Sequence, residues 1–148
     1  PGAIPFLLGW VAATDDFELF GGTLFAIQFF WQFPHFIAIA WVLDKEYKKA
    51  GFKMLFGGEK GRYPAVLSIL SSLITIIISM IPFFWNHNTL SLSIYAFVLI
   101  AILGTWFTLK SLRLYINVND LNAKKLMIAS IFYLPLLQII YIADKLMR

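Results

Sequence analysis

The sequence contains no cysteine, and only 14% of its 148 residues are charged. Without cysteine there is no disulfide framework and no thiolate metal site. An ordinary soluble domain carries about 25% charged residues, whereas this chain is 60% hydrophobic and 18% aromatic. A soluble domain of this size could not cover so much apolar surface with polar groups. The composition therefore excludes a soluble enzyme, a nucleic-acid-binding module and a disordered chain.

Long uncharged stretches occur four times, and a helix needs about 20 such residues to cross a bilayer. We predict membrane-spanning helices over residues 19–43, 64–85, 90–109 and 124–143. The apolar stretch 1–14 is too short to span and lacks the basic region of a signal peptide, so we interpret it as the end of an earlier helix. The predicted fold is an all-α, polytopic membrane helical bundle with four full spans and the end of a fifth, and we expect the chain to be part of a longer protein.

Basic residues concentrate in two of the connecting loops. Of the 12 lysines and arginines, six lie in residues 44–63 and four in residues 110–125, whereas the connections at 15–18 and 86–89 contain none. Loops rich in lysine and arginine stay on the cytoplasmic side of a membrane. We therefore predict an integral protein of a bacterial cytoplasmic membrane, with loops 44–63 and 110–125 facing the cytoplasm.

Polar side chains recur along one face of the first predicted span. Gln28, Trp31, Gln32 and His35 follow the spacing i, i+3, i+4, i+7, which places them on one side of a helix. A polar residue inside a span is costly unless it faces protein or a water-filled cavity. We interpret His35 as a functional residue, and the glutamines as functional residues that could instead form hydrogen bonds between helices. Tyr133, in the last span, could line a cavity or pack between helices.

A second stripe, in the second predicted span, consists of small hydroxylated residues and indicates close helix packing. Its members are Ser68, Ser71, Ser72, Thr75 and Ser79.

The loop after the first span combines carboxylates with lysines. Asp44 and Glu46 could hold Mg²⁺, which prefers oxygen ligands and usually shares them with substrate phosphates. Lys48, Lys49 and Lys53 could neutralise the remaining phosphate charge. Contact with anionic lipid headgroups would explain the lysines but not the carboxylates. With the polar stripe leading into the membrane, this loop predicts a site for an amphiphile with a diphosphate head and an apolar tail.

Four blocks, at residues 9–14, 31–38, 46–55 and 130–135, carry a family resemblance. In this order they resemble the C-terminal half of the protoheme IX farnesyltransferases, or heme O synthases, a branch of the membrane prenyltransferases. The block Trp-Gln-Phe-Pro-His-Phe, which begins at residue 31, is the most specific. The resemblance implies half of a nine-helix prenyltransferase fold around a central cavity. It also implies transfer of a farnesyl group from farnesyl diphosphate to a vinyl group of heme B, with addition of water, giving heme O.

The resemblance further implies that Mg²⁺ and diphosphate are held between two acidic motifs. The second motif maps onto Glu46, where the family usually has Asp, and Tyr47; the first would lie upstream. Phe56 stands where the resemblance implies Pro. Glu46 and Tyr47 are the expected catalytic residues and Glu46 and Asp44 the expected metal ligands, while His35 would contact heme through its iron or a propionate. The expected substrate-binding residues are Lys48, Lys49, Lys53, His35, Gln32, Trp31, Gln28 and Tyr133.

Two other functions stay open at this point. One is a prenyltransferase with a quinone-type aromatic acceptor, and the other is a transporter or channel segment whose polar stripe lines a pore. The expected partners are farnesyl diphosphate, heme B, the lipid bilayer and the upstream half of the same protein, with no nucleic acid. We expect residues 1–148 in isolation to be inactive, because they lack the first acidic motif.

Overall fold

The computed structural model describes residues 2–17, 19–84 and 91–147, and the regular elements in these ranges are all α-helices. Four of the helices are long and apolar enough to cross a membrane, by length and composition. The predicted all-α fold with four spans is therefore confirmed. The helices are α1 (Ile4–Thr14), α2 (Leu19–Val42), α3 (Asp44–Lys49), α4 (Arg62–Phe84), α5 (Ile94–Ile116) and α6 (Asp120–Leu146).

The four long helices form a four-sided bundle. Helix α2 packs against α4 and α6, and α5 packs against the same two helices from the opposite side. Because the chain reverses direction between successive long helices, each helix is antiparallel to its neighbours. Trp41, Phe107, Leu126 and Tyr133 are fully buried in the shared core, while α1 packs on the outside of α2.

The serine-rich face of α4 lies in the packed interior. Ser68, Thr75 and Ser79 are fully buried, and each hydroxyl donates to the carbonyl four residues earlier at 2.7–3.1 Å. The adjoining helix α5 approaches closely, since a Cβ atom at Gly104 would overlap the side chain of Ile76. The prediction of close packing is confirmed, and these hydroxyl groups satisfy their hydrogen bonds within their own helix.

Helices α5 and α6 extend further into the basic loop than the sequence predicted. Helix α5 continues past Lys110 and Arg113, and α6 begins at Asp120, so only residues 117–119 of the predicted loop 110–125 are non-helical. Lysine and arginine are good helix formers, and their stems can follow an apolar surface while the charge reaches water. Charge therefore indicates where a span leaves the membrane, but not where the helix ends. The predicted span ends at residues 85 and 90 lie outside the described residues.

Candidate functional site

His35 lies where α2 packs against α6. Its Nδ1 atom is 2.8 Å from Ser130 Oγ, and its ring stacks on the indole of Trp31, with 4.5 Å between centroids and 16° between planes. Trp31 Nε1 donates to the Ser130 carbonyl oxygen at 2.9 Å. Two side chains one turn apart on α2 thus bind a single residue of α6. We refer to Trp31, His35 and Ser130 as the histidine cluster.

The imidazole of His35 is fixed in place but only half-buried. Trp31 covers one side of the ring, Ser130 holds Nδ1, and the Phe36 ring lies 5.5 Å away at an angle of 57°. The Nε2 atom has no hydrogen-bond partner in the described part of the chain. One nitrogen of the stacked ring is therefore not used in hydrogen bonding among the described residues.

Of the two glutamines in the polar stripe, Gln32 lies against the chain before α1 and Gln28 lies in a cleft between α1 and α6. A Cβ atom at Gly2 would clash with the Gln32 amide, so this amide packs directly on the chain just before α1. Gln28 is 7% exposed and lines a small apolar cleft with Phe6 of α1 and Tyr141 of α6. Its Oε1 atom is buried without a hydrogen-bond partner among the described residues. The residues predicted to share one face of α2 therefore contact two different parts of the protein, the segment around α1 and helix α6.

Tyr133 lies in the core between α5 and α6. It is fully buried and stacks on Phe107, with 4.6 Å between ring centroids and 21° between planes. It is one helical turn from Ser130, yet no ring contact joins it to Trp31 within the described ranges. The described contacts of Tyr133 are packing contacts, and its substrate-binding role stays a prediction.

The predicted acidic–basic loop begins with the short helix α3. Asp44 and Glu46 lie in its first turn, and Lys48 and Lys49 lie in its last turn. This order of charges complements the helix dipole, which is positive at the N-terminus and negative at the C-terminus. Asp44 pairs with Lys48 at 2.9 Å, and Glu46 pairs with Lys49 at 2.9 Å.

The two carboxylates of α3 do not share a face. Residues two positions apart on a helix point in different directions. The side chain of Asp44 is 10% exposed, whereas that of Glu46 is 67% exposed. No group of three or more His, Cys, Asp or Glu that could hold a metal occurs in ranges 2–17, 19–84 and 91–147. The donor chemistry of Glu46 fits Mg²⁺, which often takes one or two carboxylates together with phosphate and water oxygens. The structure does not bring Asp44 and Glu46 together as a pair.

Glycine ends α3 and turns the chain toward the remaining lysines. Gly51 has φ of +80°, which costs glycine little because it has no Cβ atom. The Phe52 N–H donates to the Tyr47 carbonyl at 2.9 Å, and the Gly51 N–H donates to the Lys48 carbonyl at 3.1 Å. These two bonds form a Schellman motif. Half-buried Tyr47 lies before this turn and exposed Lys53 lies after it.

The turn at residues 55–58 forms without the proline that the resemblance implies. The Gly58 N–H donates to the Leu55 carbonyl at 2.8 Å, and Gly57 has φ of +83°. A positive φ at the third residue is the main requirement of a type II turn, and proline at the second is only preferred. Phe56 occupies this second position, and its ring lies 6.3 Å from that of Phe33 in α2.

Asp120, at the start of α6, connects the loop to the bundle. Its Oδ1 atom accepts hydrogen bonds from Lys60 Nζ at 2.6 Å and from Trp41 Nε1 at 3.1 Å. Neither Asp120 nor Ser130 is among the site residues predicted from the sequence. Ser130 did lie in a block that carries the resemblance, but the pairing of either residue with α2 is visible only in three dimensions.

Comparisons with known proteins give a consistent family. The chain matches the UbiA prenyltransferase family model over residues 1–134. Relatives named protoheme IX farnesyltransferase are 47% identical in Flavobacterium psychrophilum, 49% in Christiangramia forsetii and 48% in Flavobacterium johnsoniae, each over all 148 residues. These matches cover 49% of each relative, so the chain spans about half the length of the curated relatives it matches. No solved structure matches the chain significantly.

Proposed function

Because the chain belongs to the UbiA prenyltransferase family, we propose that the protein containing it transfers a farnesyl group from farnesyl diphosphate to a vinyl group of heme B, which gives heme O. The observation that carries this proposal is the identity of 47–49% over the whole chain to relatives named protoheme IX farnesyltransferase. The activity belongs to the whole protein, of which this chain supplies one part.

In this proposal the diphosphate binds beside α3. Lys48, Lys49 and Lys53 are exposed and bind phosphate oxygens through charge-assisted hydrogen bonds. Tyr47, which precedes the turn at Gly51, donates a hydrogen bond to the diphosphate. Each lysine compensates negative charge that develops on the leaving group, which lowers the barrier to its departure.

Glu46 is the proposed Mg²⁺ ligand of this part of the protein. Its exposed carboxylate can release the Lys49 ammonium group and bind a metal ion instead. Asp44 is buried, pairs with Lys48 and is the weaker second ligand. A bound Mg²⁺ supplies electrostatic stabilisation of the departing diphosphate. Further ligands come from the upstream half, and for this reason we propose that residues 1–148 alone are inactive.

The heme is proposed to bind at the histidine cluster, inside the membrane. His35 precedes Asp44 by nine residues, which is about 13 Å along a helix axis. Trp31 and Tyr133 are the aromatic residues proposed to stabilise an allylic cation. Gln28 and Gln32 are proposed to contact the substrate on the side of α1, where the structure places them. Exclusion of bulk water from such a site limits hydrolysis of the farnesyl donor.

We also propose that the protein lies in a bacterial cytoplasmic membrane, with residues 44–63 and 110–125 facing the cytoplasm. The support is the six and four basic residues in these two segments and the positive-inside rule. Farnesyl diphosphate and heme B would then reach the site from the side on which α3 lies.

The proposal is tested with the full-length protein in a bacterial strain that lacks its own heme O synthase. Extracted hemes are separated by chromatography, and we expect heme O to appear. Good expression without heme O would overturn the proposal. Appearance of a prenylated quinone precursor instead would identify the quinone-type acceptor.

A further inference from the structure

The hydrogen bonds of Ser130 determine which nitrogen of His35 carries a proton. A serine hydroxyl has one hydrogen, and a carbonyl oxygen can only accept. Ser130 Oγ lies 2.6 Å from the Met127 carbonyl oxygen, so it donates its hydrogen there. At 2.8 Å, Ser130 Oγ is then the acceptor for His35 Nδ1, which must carry a hydrogen.

The opposite nitrogen of His35 therefore presents a lone pair. A neutral imidazole has one N–H group, and a charged imidazolium would be costly inside a membrane span. Nε2 has no hydrogen-bond partner in the described ranges, and the stacked Trp31 ring prevents the imidazole from turning freely. Exposed Phe36, whose ring contacts the imidazole, adds an apolar surface beside this nitrogen.

Two parts of a heme could meet His35, and they require opposite chemistry. A propionate is an anionic acceptor and needs an N–H group, whereas heme iron needs a lone pair. Histidines that bind a metal usually donate their other N–H to a neighbouring oxygen, which holds the ring in the required tautomer. The bond from His35 Nδ1 to Ser130 Oγ is of this kind.

We propose that His35 Nε2 coordinates the iron of the heme substrate, and that Ser130 is the positioning residue that sets the tautomer of His35. This inference rests on the proposed function, because it takes heme B as the substrate. It goes beyond that function by assigning the contacting atom on each partner. Trp31 holds the same arrangement from the other side, through its stack on His35 and its bond to the Ser130 carbonyl.

The test compares two porphyrins that differ only in the metal. The full-length protein in detergent is titrated with heme B and with metal-free protoporphyrin IX, which share the propionate and vinyl groups. We expect His35→Ala to weaken heme binding by about tenfold or more and to remove the optical signature of imidazole-ligated heme. Binding of metal-free protoporphyrin IX should change less than twofold.

Equal weakening of both porphyrins by His35→Ala would overturn the inference in favour of a propionate contact, and unchanged binding of both would overturn it altogether. If the wild-type protein binds neither porphyrin, the proposed function is wrong, and the inference about His35 falls with it. Added imidazole should restore the ligated-heme spectrum of His35→Ala, because it replaces the missing ligand in a protein that is folded.

Variants of Ser130 test its positioning role. Ser130→Ala should weaken the imidazole-ligated signature because the acceptor for Nδ1 is lost, and Ser130→Thr should retain it because the hydroxyl remains. Ser68→Ala is the matched control: Ser68 is also buried and bonds a carbonyl of its own helix, but it belongs to α4. A normal heme spectrum in folded Ser130→Ala would overturn the role of Ser130, and an altered spectrum in Ser68→Ala would show that loss of any buried hydroxyl suffices.

Discussion

The two carboxylates of α3, Asp44 and Glu46, differ in their burial and in their lysine partners. Asp44 lies against the protein and pairs with Lys48 across one turn, so its charge is partly shielded from water. Glu46 pairs with Lys49 at the surface, and exposed pairs of this kind contribute only about 0–1 kcal/mol. A ligand can therefore displace Lys49 from Glu46 at small cost, and for this reason Glu46 rather than Asp44 is the first proposed metal ligand.

Replacing Glu46 with Gln removes the charge and keeps the shape of the side chain. We expect Glu46→Gln to lower turnover of the full-length protein about tenfold or more and to raise the Mg²⁺ concentration needed for half-maximal activity. Glu59→Gln is the matched control, because Glu59 is an exposed carboxylate of the same loop outside α3. A Mg²⁺ dependence like that of the wild type in Glu46→Gln would remove Glu46 from the proposed metal site.

Among the helices, the contact between α4 and α5 depends on small residues. Gly104 of α5 faces Ile76 of α4, and a Cβ atom at Gly104 would lie 2.9 Å from Ile76 Cδ1 and overlap other atoms of that side chain. In a membrane the hydrophobic effect does not drive helices together, so close packing of this kind is a main source of their association.

Enlarging Gly104 should push α4 and α5 apart. We expect Gly104→Ala to destabilise the full-length protein by about 1–3 kcal/mol, which is typical of overpacking, and the double variant with Ile76→Ala to recover part of this loss. The measurement is unfolding of the detergent-solubilised protein.

Gly22→Ala is the control for Gly104→Ala, because a Cβ atom at Gly22 meets nothing within 4 Å in the described part of the chain. Equal stability of Gly104→Ala and Gly22→Ala would contradict the close contact between the two helices.

Across the whole molecule, one carboxylate joins segments that are far apart in sequence. Asp120 accepts hydrogen bonds from Lys60, in the loop before α4, and from Trp41, near the end of α2. These bonds place the loop that carries Lys53 and the start of α6 at the same end of the bundle. All the charged residues proposed to bind diphosphate therefore lie at this end, while the histidine cluster lies further along α2.

The membrane orientation can be measured with single cysteines, since this chain contains none. In a full-length protein whose other cysteines are replaced, Glu59→Cys should be protected from a membrane-impermeant maleimide in intact spheroplasts. Asp16→Cys, in the connection between α1 and α2, should be labelled. Both residues are exposed in the structure. The reverse labelling pattern would contradict the proposed cytoplasmic position of residues 44–63.

Composition and charge pattern were sufficient to predict the spanning helices, because the cost of burying polar groups in a bilayer acts on each segment separately. The ends of these helices were predicted less well. Helix α5 runs through Lys110 and Arg113, since helical hydrogen bonding does not stop where the apolar stretch stops. The Glu46–Leu55 motif was visible in the sequence, but the short helix and the Schellman motif that shape it were not predicted.

The sequence by itself determined the membrane-spanning, all-α character of this protein, the residue types of its site and its family resemblance. Only the tertiary structure decided which of those residues meet. It brings Trp31 and His35 to Ser130 and packs Tyr133 against Phe107. It also places Gln32 against the chain before α1 and Gln28 in a cleft between α1 and α6. Helical spacing reports which side chains share a face, whereas a hydrogen-bond partner on another helix depends on how helices distant in sequence pack together. The proposed tautomer of His35 rests on such a partner, and so does the proposed contact with heme iron rather than with a propionate.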